Sequence, residues 1–231
     1  MLTLITFKPG LGLRSPSPFA IKADALMTMS GLSFTRDYGD VVKAPRKKLP
    51  VLKDGERMIP DSSHIQRHLE TEHGIDFDGH LTEQERGVAT AFQRLAEEHL
   101  YFIAAFYRWN DHAEAVKSTY FESVPGLLRG LVFGSVKKQL DKCLHLQGLG
   151  RHSRDELARF AKEDIDAIAH QLGDNTWFLG ERLSSIDASI AAALDNNLNC
   201  TLETPITEMI RAHPNLVSYC ARFKGEVFGE A

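Results

Sequence analysis

Three places in this sequence carry side chains whose types and spacing could do chemistry. The first is Ser15-Pro16-Ser17-Pro18-Phe19, where a hydroxyl stands directly ahead of a run with helical periodicity. The free amide N–H groups that open a helix attract anions, so Ser17 could help hold one. The same residue, with Pro at the first helical position, is also an ordinary N-cap. The second place is the basic cluster Lys43, Arg46, Lys47 and Lys48, followed by Leu49-Pro50. It offers either partners for a carboxylate or a solvated face. The third is Asp61-Ser62, an acid and a hydroxyl ahead of another helical run, with the same two readings. Glu97-Glu98-His99 contains metal-ligating residue types, but adjacent residues do not share a helix face, and no metal is expected. Cys143, Cys200 and Cys220 form no CxxC pair and no zinc spacing, so each is expected to be a small core hydrophobe.

The elements that must position these groups follow from periodicity. Leu2 to Phe7 alternates like a strand, and Lys8 to Pro18 is a loop. Phe19, Ala23, Leu26, Met27 and Ser30 share one helical face, which Gly31 ends. Phe34 to Tyr38 reads as a second strand. Val51-Leu52-Lys53 and Arg57-Met58-Ile59 flank Asp54-Gly55-Glu56, whose Asp-Gly pair marks a hairpin. A helix is expected from about Ser62 to His73-Gly74. The order is β-α-β-β-β-α, with room for a short irregular helix between Gly39 and Lys48. From Thr82 onward the pattern is helical throughout. Capping boxes stand at Thr82-x-x-Glu85, Ser153-x-x-Glu156 and Ser184-x-x-Asp187. The first opens a long helix with Val88, Phe92, Leu95, Ala96, His99, Phe102, Ile103 and Phe106 on one stripe. The expected boundary lies between Gly74 and Leu81, with residues 1–76 before it and 82–231 after it.

The 231 residues carry a formal net charge of −4, with 43% hydrophobic and 25% charged residues, the balance of an ordinary globular protein. That charge, without a basic stripe carrying interleaved aromatics, speaks against a nucleic-acid partner or an anionic membrane surface. The apolar start is broken at Lys8-Pro9-Gly10 and lacks a basic lead, so it is not expected to be a signal peptide. No apolar stretch approaches the ~20 residues of a membrane span. A reducing cytoplasmic setting is expected.

Taken in order, Ser17-Pro18-Phe19, Lys48-Leu49-Pro50-Val51-Leu52, Asp61-Ser62-x-x-Ile65, Phe178-Leu179-Gly180 and Ser184-Ser185-Ile186-Asp187 resemble the glutathione transferase superfamily over nearly the whole chain. The run Gly148 to Ser153, with Ser185 to Ala188 behind it, resembles the failed-axon-connections and metaxin-like branch. The resemblance implies an α+β thioredoxin-like domain over 1–76 and an all-α domain over 82–231. It implies glutathione as co-substrate, a hydrophobic electrophile as second substrate, and a homodimer.

The resemblance also assigns roles. Ser17, or Ser15 two residues earlier, would donate a hydrogen bond to the glutathione sulfur; only the thiolate is a good nucleophile. Leu49-Pro50 would be a cis turn that frees the Leu49 main chain to pair with the cysteinyl backbone of the tripeptide. Lys48 or Arg46 would meet the glycyl carboxylate. Ser62 would cap its helix and bind the γ-glutamyl carboxylate, and Asp61 would accept from the γ-glutamyl ammonium. Tyr101, Tyr107 and Arg108, partly off the apolar stripe, would face the electrophile. The activity implied is thiolate attack on that electrophile; the alternative is a non-catalytic member that binds a ligand or a protein.

Overall fold

A computed structural model describes residues 1–230. Strand β1 (Leu2–Thr6) turns Leu2, Leu4 and Thr6 inward, as its alternation requires. It pairs in parallel with β2 (Phe34–Tyr38) and antiparallel with β3 (Val51–Asp54), which forms a hairpin with β4 (Arg57–Pro60). The sheet order is β2-β1-β3-β4. Helix α1 (Pro18–Met29) connects β1 to β2, and α2 (Ser62–His73) follows β4. The β-α-β-β-β-α unit is therefore present. The stretch before β3 holds a single 3-10 turn at Pro45–Lys47, where Arg46 and Lys47 both take positive φ. Gly74, at φ 67°, closes α2 in the left-handed conformation that glycine adopts without strain.

The remainder is helical: α3 (Glu83–Arg94), α4 (Tyr101–Asp111), α5 (Ala113–Tyr120), α6 (Gly126–Gln147), α7 (Arg154–Leu172), α8 (Ser185–Leu198), α9 (Pro205–Arg211) and α10 (Pro214–Phe223). Every residue of α8 is buried, and α1 packs along it. Its Ala188, Ser189, Ala191, Ala192 and Ala193 give that neighbour room to approach. The linker before α3 is pinned to α8: Asp78 accepts from the Ser185 N–H at 2.8 Å and from its hydroxyl at 2.6 Å. Asp187 is wholly buried and accepts from Ser184, from the Phe178 N–H and from the Tyr219 hydroxyl, so its box holds the helical core together.

The long helix expected from Thr82 is not continuous α-helix. A π-helical turn over Leu95–Leu100 separates α3 from α4. The wider turn breaks the 3.6-residue register, so residues after it face directions the even period does not predict. Tyr107 and Arg108 turn inward and become buried, while Phe106 stays partly exposed. Two further expectations are corrected. Cys143 is exposed on α6, whereas Cys200 and Cys220 are buried. The cap of α2 is Asp61, whose Oδ1 accepts from the Ser63 N–H at 2.9 Å, and not Ser62, which is the first helical residue.

The boxes at Thr82 and Ser153 imply a pH dependence. The hydroxyl and N–H of Thr82 hold the Glu85 carboxyl below its ordinary value of 4.5, and the N–H and hydroxyl of Ser153 do the same for Glu156. A carboxyl with a lowered folded-state pKa stabilises fully above its unfolded value, and that contribution fades as pH falls through the folded one. Glu156→Gln is expected to lower urea-monitored stability at pH 7 and to converge with the parent at acid pH; parallel curves at all pH values would contradict this.

Candidate active site

The topology brings the three sequence candidates to one end of the sheet. Ile5, near the end of β1, pairs with Val51 at the start of β3, and Val51 pairs with Pro60 at the end of β4. The loop into α1, the Leu49-Pro50 turn and the opening of α2 therefore share the edge where β1 and β4 end. The Leu49–Pro50 peptide is cis. Pro50 O accepts from the Asp61 N–H at 3.2 Å, which joins the proline turn to the start of α2. Among the described residues, the Leu49 N–H and C=O have no partner, so both are open to an extended peptide. Ser62 is buried at the first turn of α2.

Ser17 caps α1: its Oγ accepts from the Ala20 N–H at 3.4 Å, and its hydroxyl hydrogen is left to donate elsewhere. Ser15 is buried, and its Oγ accepts from the Ser17 N–H at 3.2 Å. Ser15 thus shapes the turn from beneath, while Ser17 stands at its partly exposed front.

The floor of this turn comes from the helical domain. The Arg108 guanidinium, 6% exposed, donates to Asn196 Oδ1 at 2.8 Å, to the Asn196 C=O at 2.5 Å and to the Pro16 C=O at 3.4 Å. Tyr120 donates its hydroxyl to the same Pro16 C=O at 3.3 Å, and Asn196 Nδ2 donates to the Ser15 C=O at 3.4 Å. All these partners of the guanidinium are neutral, and its Nε finds none among the described residues. A buried, uncompensated cation one residue behind Ser17 favours an anion in front of it. Arg108→Leu is expected to cost about 3 kcal/mol or more in urea unfolding, because it strands the two buried Asn196 acceptors and leaves the Pro16 C=O only the Tyr120 hydroxyl; a loss under about 1 kcal/mol would refute the floor role.

The remaining candidates are placed as follows. Lys48 is exposed immediately before Leu49. Arg46 is exposed and lines a groove of about 350 Å³ with Met58, Pro60, His64 and Arg67. Tyr107, 2% exposed, donates its hydroxyl to the Arg154 C=O at 2.6 Å. Burial takes Tyr107 and Arg108 off any substrate-facing wall, as the π turn explains. Tyr101 packs edge-on against Phe19 with ring centroids 4.8 Å apart, and burial pushes its phenol up to about 12. It lines a crevice of about 10 Å³ with Pro18, Phe19 and Lys22, barely room for one water. Arg14 in the same loop is committed to Asp24 at 3.0 Å and to Glu230. Glu97, Glu98 and His99 diverge to Lys22, Arg94 and Asp164.

Sequence reasoning missed Lys22. Its side chain is 1% exposed, and Nζ lies 2.6 Å from Glu97 Oε1 and 3.4 Å from Ser63 Oγ. Gln93 Nε2 completes the cluster, 3.1 Å from both Ser63 Oγ and Glu97 Oε2. The helix that opens at Ser17 and the helix that opens at Ser62 are thereby locked to the same π turn. Lys22 follows the apolar Phe19-Ala20-Ile21 and precedes Ala23, a local hint of its role.

Comparison with known proteins agrees with this layout. Residues 18–114 match the glutathione S-transferase N-terminal domain, and residues 161–223 match the glutathione S-transferase C-terminal domain. The isoprene-epoxide–glutathione S-transferase of Rhodococcus sp. strain AD45 is 30% identical over 97% of this chain and 98% of its own length. The chain belongs to the glutathione S-transferase family. Failed axon connections of Drosophila melanogaster is 24% identical over 94% of this chain, which spans 55% of that relative. The fold is that of a glutathione S-transferase of Ceriporiopsis subvermispora solved in complex with glutathione, with a TM-score of 0.64, 15% identity and 96% coverage of both chains. The two-domain architecture and the resemblance to the failed-axon-connections branch both hold.

Proposed function

We propose that this family member is a catalytic glutathione transferase, acting as a cytoplasmic homodimer on a small hydrophobic electrophile. The observation that carries the reading is the convergence of a free Ser17 hydroxyl, the open Leu49 main chain and the buried opening of α2 on one edge of the sheet. Extended pairing with Leu49 suits the cysteinyl backbone of glutathione. The first turn of α2 suits the γ-glutamyl carboxylate, and Lys48 the glycyl one. Asp61 Oδ1 is held by the Ser63 N–H, which leaves Oδ2 for the γ-glutamyl ammonium. Ser17, the helix N-terminus and the Arg108 cation behind it all lower the cost of the sulfur anion. The thiolate attacks an electrophilic carbon and forms a C–S bond as the leaving bond breaks; with an epoxide, the C–O bond opens and its oxygen takes up a proton. The Rhodococcus relative's name makes a small epoxide the first electrophile to try.

Calorimetry with glutathione tests the binding half, and thioether formation from glutathione and a small epoxide tests the chemistry. One site per chain with turnover supports the reading; no heat at millimolar glutathione refutes it. A second reading is supported by the narrow crevice at Tyr101 and the burial of Tyr107 and Arg108, which leave no roomy electrophile pocket there. On that reading the chain binds glutathione or a protein without turnover, and calorimetric binding with no conjugate would favour it.

A further inference from the structure

Asp54, His68 and His73 meet at the end of the sheet remote from the proposed glutathione edge. β3 starts beside the Leu49-Pro50 turn and ends at Asp54, and α2 opens at Ser62 and ends at His73. Both imidazole Nε2 atoms lie 2.9 Å from the same carboxylate oxygen, Asp54 Oδ2. The three ligand atoms fall within 4.8 Å of one another. The side chain of His68 is 8% exposed, while those of His73 and Asp54 are 25% and 26% exposed, so the cluster is anchored on one side and open on the other.

We propose that Asp54, His68 and His73 form a divalent transition-metal site, with zinc as the expected ion. Two imidazoles select zinc and its neighbours over calcium or magnesium, which prefer oxygen ligands. Zinc holds nitrogen and carboxylate oxygen at about 2.0–2.2 Å, which sets tetrahedral ligand spacings of roughly 3.3 Å. The two 2.9 Å separations open by a few tenths of an ångström to meet that spacing, and the widest separation closes. Three protein ligands leave one position for water. A second clip already joins the same hairpin to the same helix end, through Arg57 and Glu72 at 2.7 Å. A bound ion would therefore fasten the β3–β4 hairpin to the end of α2. The sequence hides this, because Asp54 is separated from the histidines and His68-x-x-x-x-His73 is not a recognised ligand spacing.

The test is zinc titration of the tag-free, chelator-stripped full chain, carried out in a Cys143→Ser background because that thiol is exposed. One zinc per chain is expected, with affinity at least tenfold weaker in His68→Ala and in His73→Ala. His73 lies partly exposed at a helix end, so His73→Ala keeps the test usable if His68→Ala fails to fold. Zinc should raise the thermal midpoint of the parent and leave that of His73→Ala unmoved. No zinc uptake by the parent, or equal affinity in His73→Ala, overturns the proposal.

Discussion

Ser17→Ala is expected to raise the apparent pKa of the bound thiol by about two units and so to lower kcat/KM for conjugation at neutral pH by roughly 25-fold. The free thiol sits near ~8.5, so an enzyme working at neutral pH needs a shift of that size, worth ~2.7 kcal/mol in favour of the thiolate. The Ser17 hydroxyl is expected to supply most of it, over a smaller background from the first-turn amides of α1 and the buried Arg108 cation. Only the hydroxyl is aimed from the front of the turn. Ser17→Gly separates capping from catalysis, because glycine retains most of a cap and costs only a few tenths of a kcal/mol in stability. The glycine protein should fold nearly as well as the parent and conjugate as poorly as the alanine one. Full activity in Ser17→Ala would remove Ser17 from the mechanism. Ser15→Ala is expected to act less strongly, since Ser15 is buried and touches the turn through the Ser17 N–H.

The largest stability effect is expected at Lys22. Lys22→Met leaves the Glu97 carboxylate, 10% exposed, without its cation and takes a donor from Ser63. Breaking a buried pair from one side costs about 3–5 kcal/mol, whereas replacing both partners by apolar groups is often nearly neutral. Urea unfolding of Lys22→Met should therefore show a loss in that range, and Lys22→Met/Glu97→Leu should recover most of it. A double variant as unstable as the single would mean that the loss comes from packing and not from the stranded charge. The cluster also joins α1 and α2 to the π turn, so Lys22→Met is expected to weaken glutathione binding even at temperatures where it stays folded.

Much of the scaffold was legible because its determinants are local. The Asp-Gly hairpin, the three capping boxes and the Gly74 stop depend on residues within a few positions of one another. The convergence of Ser17, Leu49 and Ser62 was legible only through resemblance, since strand pairing and a cis peptide leave no local pattern. The inward turn of Tyr107 and Arg108 was not legible, because a π turn shifts register without a distinctive composition. Nor were the partners of buried charges: Lys22 meets Glu97, and Arg14 meets Glu230, across separations that no periodicity reports. Asp61 displaced Ser62 as the cap because both residue types serve, and only the backbone, with Asp61 at φ 81°, decides between them.

The loop that presents Ser17 belongs to one domain by sequence and to the other by support. Leu11 O receives the Thr201 N–H at 2.9 Å, Ser15 O receives Asn196, and Pro16 O receives both Arg108 and Tyr120. A transplant of the first 76 residues onto another helical body would carry every reactive group but lose the Arg108, Tyr120, Asn196 and Thr201 contacts that hold the Ser17 loop. The two halves are thus obliged to change together, and the unit that can be inherited or engineered intact is the pair.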